Sequence, residues 1–256
     1  MASYPREKKS GSSWDYNDLL AYNIHIHNVT ESEYFRLMNL NILDYMITFS
    51  NTSSKASLSR ISPDPKYGVK SNVLHLLNLM HEAQNGQERQ VDELLQEYML
   101  QHGFLLPSAK VGLPLLVCGA YTSANPDWSI DGEGHQIHIL GENKQAICTT
   151  LPEPQLTAEI LAADQKNRLL NIGRHKSTLP EDYYAMTFAG LSPAFYRYRI
   201  RVDLQQAIVQ GKYPNTATFV SRFSPVLHNP GGISNVRNRP IIIRLFEGFR
   251  QLAKRF

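Results

Sequence analysis

Three charged residues in one stretch of the chain have the types and the spacing that metal-assisted chemistry needs. Asp127 lies near the start of one predicted strand, and Glu142 and Lys144 lie two residues apart at the end of the next. Residues two apart on an extended strand point to the same face of a sheet. The Gly-Glu-Gly sequence at 132–134 predicts a hairpin turn between the two strands. This turn would bring Asp127 opposite Glu142.

Two carboxylates at this hairpin would repel each other unless a proton or a cation lay between them. Directly opposed residues on one sheet face have Cβ atoms about 5 Å apart, so Asp127 and Glu142 could hold one ion together. A hard divalent ion such as Mg²⁺ or Mn²⁺ takes carboxylate oxygens, waters and phosphate oxygens as ligands. We therefore predict a Mg²⁺ or Mn²⁺ site here, with Lys144 placed to orient a water or to neutralise a phosphoryl group.

The elements that would position these residues follow from hydrophobic periodicity. The helix at 87–102 has one apolar stripe at i, i+3, i+4, i+7 and i+8 spacing, made of Val91, Leu94, Leu95, Tyr98 and Met99. The other predicted elements are a helix at 73–83, strands at 113–119, 126–131 and 136–142, a helix at 153–170, strands at 185–190 and 195–202, a helix at 203–211, and a last segment at 239–256 that is a helix or a strand followed by a helix. The order helix, three strands, helix, strand predicts an α/β (α+β) fold with a mixed sheet.

The Pro-Asp pair at 126–127, followed by Glu-x-Lys at 142–144, resembles the signature of the PD-(D/E)XK nuclease superfamily. The superfamily core has the same order of helices and strands. The resemblance implies a restriction-endonuclease-like core and metal-dependent hydrolysis of phosphodiester bonds in DNA or RNA. It implies that Asp127, Glu142 and the main-chain carbonyl of Asn143 hold the metal ion, while Lys144 positions the attacking water.

The same resemblance implies two further polar groups. One is an acidic residue on the helix before the sheet, for which Glu88 or Asp92 is the candidate. The other is a supporting polar residue on the helix after the Glu-x-Lys strand, where Gln155 is the best candidate beside Glu159 and Gln165.

A second resemblance covers nearly the whole chain. It is carried by residues 14–24, 91–95, 113–119, the hairpin through 142–144, 153–165, 188–200, 211–214 and 241–252. Over these segments the chain is similar to a large uncharacterised protein family of mushroom-forming fungi. In that family the hairpin ends in Glu-Asp-Lys, whereas Asn143 is the middle residue here, so a negative charge is missing. This resemblance implies a shared fold rather than a reaction.

Composition narrows the class of protein. The chain has 256 residues and a net charge of +3, which neither requires nor excludes a nucleic-acid partner. It has no apolar run of the ~18 residues that would span a membrane, and no apolar stretch follows its first charged residues. We therefore expect an intracellular protein, in the cytoplasm or the nucleus. The predicted organisation is a disordered arm at 1–12, an N-terminal helical extension with a Ser-rich loop at 13–72, and a nuclease-like core domain with a C-terminal helix at 73–256.

A basic strand is a candidate nucleic-acid interface. Alternation would place Arg197, Arg199 and Arg201 on one face of the strand at 195–202, where they could follow a phosphate backbone. The alternative is a half-exposed edge strand whose charges prevent aggregation.

Non-enzymatic interpretations also fit the sequence. Asp127 could cap a strand end, and Glu142 and Lys144 could form an ordinary surface ion pair. The same fold would then be a non-catalytic binding or scaffold module. In a third interpretation, an apolar stripe on the N-terminal helix is the face of a homodimer, although the stripe could equally pack on its own core. The stripe consists of Phe35, Met38, Ile42 and Met46.

Overall fold

A mixed sheet crosses the part of the chain that the computed structural model describes, which is residues 6–38, 71–101, 104, 108–109, 112–131, 136–145, 151–170, 181–227 and 231–254. Within those residues the sheet has seven strands. From one edge to the other they are β1 (Ile24–Asn28), β9 (Thr218–Phe223), β8 (Ser192–Ile200), β7 (Glu181–Ala189), β6 (Ile137–Lys144), β5 (Trp128–Asp131) and β2 (Ser108–Ala109).

Four of these strands run in one direction. β6 is parallel to β7, β1 is parallel to β9, and β8 lies antiparallel between β7 and β9. Strands β6, β7, β9 and β1 therefore all end on the same side, which we call the carboxyl end of the sheet. Since β5 is antiparallel to β6, its first residue also lies at this end.

Helices cover both faces of the sheet, so the fold is mixed α/β. They are α1 (Tyr16–Ala21), α2 (Glu31–Leu37), α3 (Ser71–Asn85), α4 (Glu88–Gln101), α5 (Glu153–Leu170), α6 (Val202–Gln210) and α7 (Arg239–Ala253). One apolar cluster packs α1, α5 and α6 on one face. A second cluster packs α2, α3, α4 and α7 on the other. The predicted apolar stripe of α4 is buried in the second cluster, as its spacing required.

The first strand predicted for the sheet belongs to a separate hairpin. β3 (Leu113–Val117) pairs with β4 (Ala120–Ala124), which we did not predict, and among the described strands β3 pairs only with β4. The turn uses Cys118 and Gly119, both with positive φ, a conformation that cysteine seldom signals. Alternation predicts a strand with one buried face but not the surface that covers it, which here is α5.

Helix α5 lies between this hairpin and the sheet. Residues around its whole circumference are buried, and its bounds agree with the prediction. A helix enclosed on all sides needs apolar or internally paired residues at nearly every position. The few polar side chains on α5 are therefore placed inside the protein, where they must find partners.

The helical extension predicted for 13–72 contains helices α1 and α2, but it also contributes a strand, β1, to the main sheet. β1 is its edge strand beside β9. Residues 6–12 also differ from the disordered arm predicted for 1–12, because Lys9 pairs with Asp18 and Gly11 is buried against Ala124. Most of the predicted Ser-rich loop lies outside the described residues.

The dimer face suggested by the N-terminal stripe is partly accounted for by the core. Phe35 and Met38 are buried in the cluster with α4 and α7. Ile42 and Met46 lie outside the described residues. The last predicted segment is a single helix, α7, and β9 is a strand that we did not predict. No helix among the described residues combines the length and the apolar composition that crossing a membrane requires.

Candidate metal centre

The pairing of β5 with β6 brings Asp127 to Glu142. Trp128 pairs with Gly141, so the next pair toward the carboxyl end of the sheet is Asp127 and Glu142, as the sequence predicted. The Asp127 carboxylate accepts a hydrogen bond from the main-chain N–H of Asn143 at 2.7 Å. A Cβ at position 141 would lie 2.1 Å from the Trp128 ring, so only glycine lets the indole lie across β6 at this point.

Lys144 forms an ion pair with Glu142 on the same face of β6. The side chain of Glu142 is 1% exposed and that of Lys144 is 16% exposed, so this is not the surface pair that the non-enzymatic interpretation assumed. Taking a carboxylate and an ammonium out of water costs several kcal/mol for each ion, as an order of magnitude. A pair buried in this way is therefore an expensive feature of the sheet.

Helix α5 completes a ring of polar contacts around this pair. Lys144 Nζ donates to Gln155 Oε1 at 3.2 Å, and Gln155 Nε2 donates to Glu159 Oε1 at 3.1 Å. The carboxyl groups of Glu159 and Glu142 lie close enough to each other that each affects the pKa of the other. Gln155 therefore contacts Lys144, on the helix where the resemblance implied a supporting polar residue. Glu159, which the sequence analysis named as an alternative to Gln155, lies one turn further along α5, so its i, i+4 spacing places it on the same side of the helix.

The pKa values of two carboxyl groups at this site, those of Glu142 and Glu159, are raised. Burial, and after it the Asp127 carboxylate, raises the pKa of Glu142 to about 7, although Lys144 opposes the shift. Burial and Glu142 raise the pKa of Glu159 well above its usual range. Burial alone would lower the pKa of Lys144, but the neighbouring Glu142 outweighs it and the pKa is raised. Two carboxyl groups in contact share a proton unless a cation replaces it.

Both acidic candidates on α4 reach the site. Asp92 Oδ1 accepts a hydrogen bond of 2.7 Å from the side chain of Asn143. Glu88 is close enough to raise the pKa of Lys144. Asn143 therefore connects β6 to α4 through its side chain and to Asp127 through its main chain.

The donor set suits a hard divalent cation in part. Asp127 and Glu142 are carboxylates at one point of the sheet, and Glu142 Oε2 is buried without a hydrogen-bond partner among the described residues. Mg²⁺ commonly uses one or two protein carboxylates and completes its shell with water and phosphate oxygens. Among the residues described, no three His, Cys, Asp or Glu side chains are arranged to hold a metal ion. A metal here would therefore depend on these two carboxylates and on oxygen ligands from the main chain, water and substrate.

A second polar group, which the sequence analysis did not find, lies beside the first. Tyr196 donates to Glu153 Oε1 at 3.1 Å, and Arg222 Nε lies 3.3 Å from the same carboxylate oxygen. Thr187, which pairs with Glu142 across β6 and β7, is within hydrogen-bonding distance of the Tyr196 hydroxyl at 3.4 Å. The sequence analysis missed this group because it did not predict β9, the strand that places Arg222 near the start of α5.

The predicted basic strip is not assembled. β8 is an interior strand, so the edge-strand alternative is also wrong. Arg197 is paired with Asp182 at 2.9 Å. Arg201 lies beyond β8 as the N-cap of α6 and binds Asp203. Arg199 is exposed, so the three arginines do not form one surface.

In comparisons with known proteins, the chain matches no family model and no curated protein.

Proposed function

We propose that this protein hydrolyses phosphodiester bonds of DNA or RNA with the help of Mg²⁺ or Mn²⁺. The observation that carries the proposal is the meeting of Asp127, Glu142, Lys144 and Gln155 at the carboxyl end of the sheet. A restriction-endonuclease-like core is part of the proposal. The order α4, β2, β5, β6, α5, β7 supports it, with the β3–β4 hairpin as an insertion.

Each residue has a role that its contacts make reasonable. Asp127 and Glu142 would hold the metal ion together with the main-chain carbonyl of Asn143, and Asp92 would fix the side chain of Asn143. When bound, the ion would act as a Lewis acid and lower the pKa of a water ligand. Lys144, oriented by Gln155, would hold the water or a phosphate oxygen by a charge-assisted hydrogen bond. Glu88 would add negative charge beside Lys144.

A second candidate function is binding without catalysis. The observation that favours it is the direct ion pair between Lys144 and Glu142, which engages two of the proposed catalytic groups with each other. A protein that kept the fold to bind a partner would have no need to release Lys144 from this pair.

Metal titration followed by a cleavage assay separates the two functions. We expect Mn²⁺ to bind the wild type by calorimetry, and Glu142→Gln to bind it at least about tenfold more weakly because a ligand charge is lost. Metal-dependent cleavage of mixed DNA and RNA should fall by about 10²-fold or more in Lys144→Met, by analogy with the loss of one positioned donor. The exposed Lys212 offers a matched control, Lys212→Met, which should leave cleavage unchanged.

Two results would contradict catalysis. One is wild-type protein that binds Mn²⁺ but cleaves no nucleic acid, which would favour the binding function. The other is cleavage that survives in Lys144→Met at the wild-type rate, which would place the reaction elsewhere in the protein.

A further inference from the structure

The polar group around Arg222 continues the candidate metal centre along the carboxyl end of the sheet. Arg222 lies near the end of β9, and Asn28 is the last residue of β1. Arg222 pairs with Tyr196, which belongs to the cluster on the α5 face, so Arg222 faces the same side as Glu142 and Lys144. β6 and β9 are three strands apart in the sheet. At ~4.8 Å for each spacing between strands, this separation is about 14 Å.

Arg222 is held in place but remains accessible. Its Nε lies within 3.3 Å of Tyr196 Oη and of Glu153 Oε1, and its Nη1 donates to Asn28 Oδ1 at 3.1 Å. Among the described residues, Nη2 has no hydrogen-bond partner, and the side chain is 25% exposed. A guanidinium fixed on one side and open to solvent on the other has lost much of the rotamer freedom that anion binding would otherwise cost.

Helix α1 packs against α5, the helix that begins with Glu153, and it carries an exposed aromatic residue within electrostatic range of Arg222. Tyr16, in the first turn of α1, is 43% exposed. Burial raises the pKa of its hydroxyl, Glu153 raises it further and Arg222 opposes the rise, so the phenol lies within electrostatic range of both. An arginine for phosphate beside an aromatic ring for a base is the combination with which proteins bind unpaired nucleotides.

We propose that Arg222 and Tyr16 form a binding subsite for single-stranded nucleic acid, about 14 Å along the sheet from the candidate metal centre. The inference rests on the proposed function, since it extends the same substrate path. Arg222 contacts a backbone phosphate through Nη2, and Tyr16 stacks on an unpaired base a few nucleotides from the bond at the metal centre. An unpaired strand is specified because a base in a duplex has no free face for Tyr16.

Binding without cleavage is the direct test. A fluorescein-labelled single-stranded 12-mer is titrated with full-length protein in EDTA, as DNA and as RNA, and its anisotropy is followed. We expect Tyr16→Ala to weaken binding about tenfold, the size of one lost stacking contact. Arg222→Gln should weaken binding. It should also make the slope of log K against log salt less steep, by the amount expected for the loss of about one phosphate contact.

Matched controls separate this subsite from general charge and aromatic effects. Arg237→Gln and Tyr121→Ala remove an exposed arginine and an exposed tyrosine on other elements, and both should bind as the wild type does. Arg222→Gln leaves the buried Glu153 without its cation, so Arg222→Lys provides a variant that keeps the charge. We expect Arg222→Lys to retain the salt slope and lose only part of the affinity.

The outcomes distinguish this inference from the proposed function. Wild-type binding that Tyr16→Ala and Arg222→Lys leave unchanged overturns the subsite, even if Lys144-dependent cleavage is found. No wild-type binding to either 12-mer, or tighter binding to the matched duplex, also overturns it. Binding that both variants weaken supports the subsite, and it does so even in a protein that cleaves nothing.

Discussion

The two ends of helix α5 both bury carboxyl groups, and only one end gives them enough partners. Near the carboxyl end of the helix, Asp164 is fully buried and both of its oxygens are paired. Arg168 donates to Oδ2 at 2.6 Å and to Oδ1 at 2.9 Å, and Tyr183 donates to Oδ1 at 3.0 Å. Asn167 likewise satisfies both main-chain groups of Ile137. This end resembles a structural network in which every polar group has a partner.

The amino end of α5 is different. Glu142, Glu153 and Glu159 each have one buried carboxyl oxygen without a hydrogen-bond partner among the described residues. Lys144 pairs with Glu142, and Arg222 with Glu153. The ring around Glu142 therefore has an excess of carboxyl groups over cations.

This difference between the two ends of α5 indicates which buried carboxyl groups stabilise the fold and which oppose folding. Buried charges that are fully paired can hold a structure together, whereas a surplus of buried carboxyl groups opposes folding unless a proton or a cation joins them. Sites that act on ligands often carry such a cost. The contrast therefore supports a structural role for the Asp164 end and a ligand-binding role for the Glu142 end.

The largest expected effect is at the structural end. Asp164→Ala should lower the free energy of unfolding by about 3 kcal/mol, because it leaves Arg168 and Tyr183 without their shared acceptor. Urea denaturation followed by circular dichroism measures this. As a control, Glu93→Ala removes an exposed i, i+4 pair with Arg89 and should change stability by less than about 0.5 kcal/mol. Equal losses in the two variants would remove the contrast between paired and surplus carboxylates.

The carboxyl groups at the amino end of α5 should make the stability of the protein depend on pH. The pKa of Glu142 is raised from 4.5 to about 7, so between these values the folded protein keeps a proton that the unfolded chain releases. The free energy of unfolding should therefore fall as pH rises through this window, by about 2.5 kcal/mol from this group. Urea denaturation at a series of pH values, in EDTA, should show the fall in the wild type and a flatter profile in Glu142→Gln. If the wild type and Glu142→Gln gave the same dependence of stability on pH, the raised pKa of Glu142 would be refuted.

The smallest effect is expected at Glu159. In Glu159→Gln the new amide can donate to Glu142 and accept from Gln155, so the ring of contacts is kept with one carboxyl fewer. We expect stability at pH 8 to rise by about 1 kcal/mol and metal-dependent cleavage to stay within about tenfold of the wild type. Glu159→Leu should gain stability as well but lose more cleavage, because Gln155 and Lys144 lose their orientation. Equal cleavage in the two variants would limit Glu159 to a structural role.

The local patterns of the sequence predicted much of the site because its geometry is local. Glu142 and Lys144 share a face by strand alternation, and one short hairpin brings Asp127 across from them. Periodicity predicted the helix that begins at Glu153, and the resemblance to the nuclease superfamily then implied a polar residue on it, for which Gln155 was the candidate. These relations span a few residues or one turn, so the covalent geometry of the chain fixes them.

The remainder depended on pairings between distant segments. Leu113–Val117 has the alternation of a sheet strand, yet it packs on α5 instead of joining the main sheet. Arg197, Arg199 and Arg201 alternate as an exposed basic strip would, but β8 is an interior strand and its arginines have different surroundings. Which surface covers a strand is decided by the whole set of packed elements.

The sequence by itself determined the acidic hairpin, the lysine beside it and the two long helices that flank them, since periodicity and turn chemistry act within a segment. Only the tertiary structure decided that β1 and β9 join the sheet and bring Asn28 and Arg222 to the carboxyl end beside Glu153. The physical reason is that parallel strands pair through long connections. Their partners are therefore selected by the burial of the whole sheet and not by any pattern within the strands.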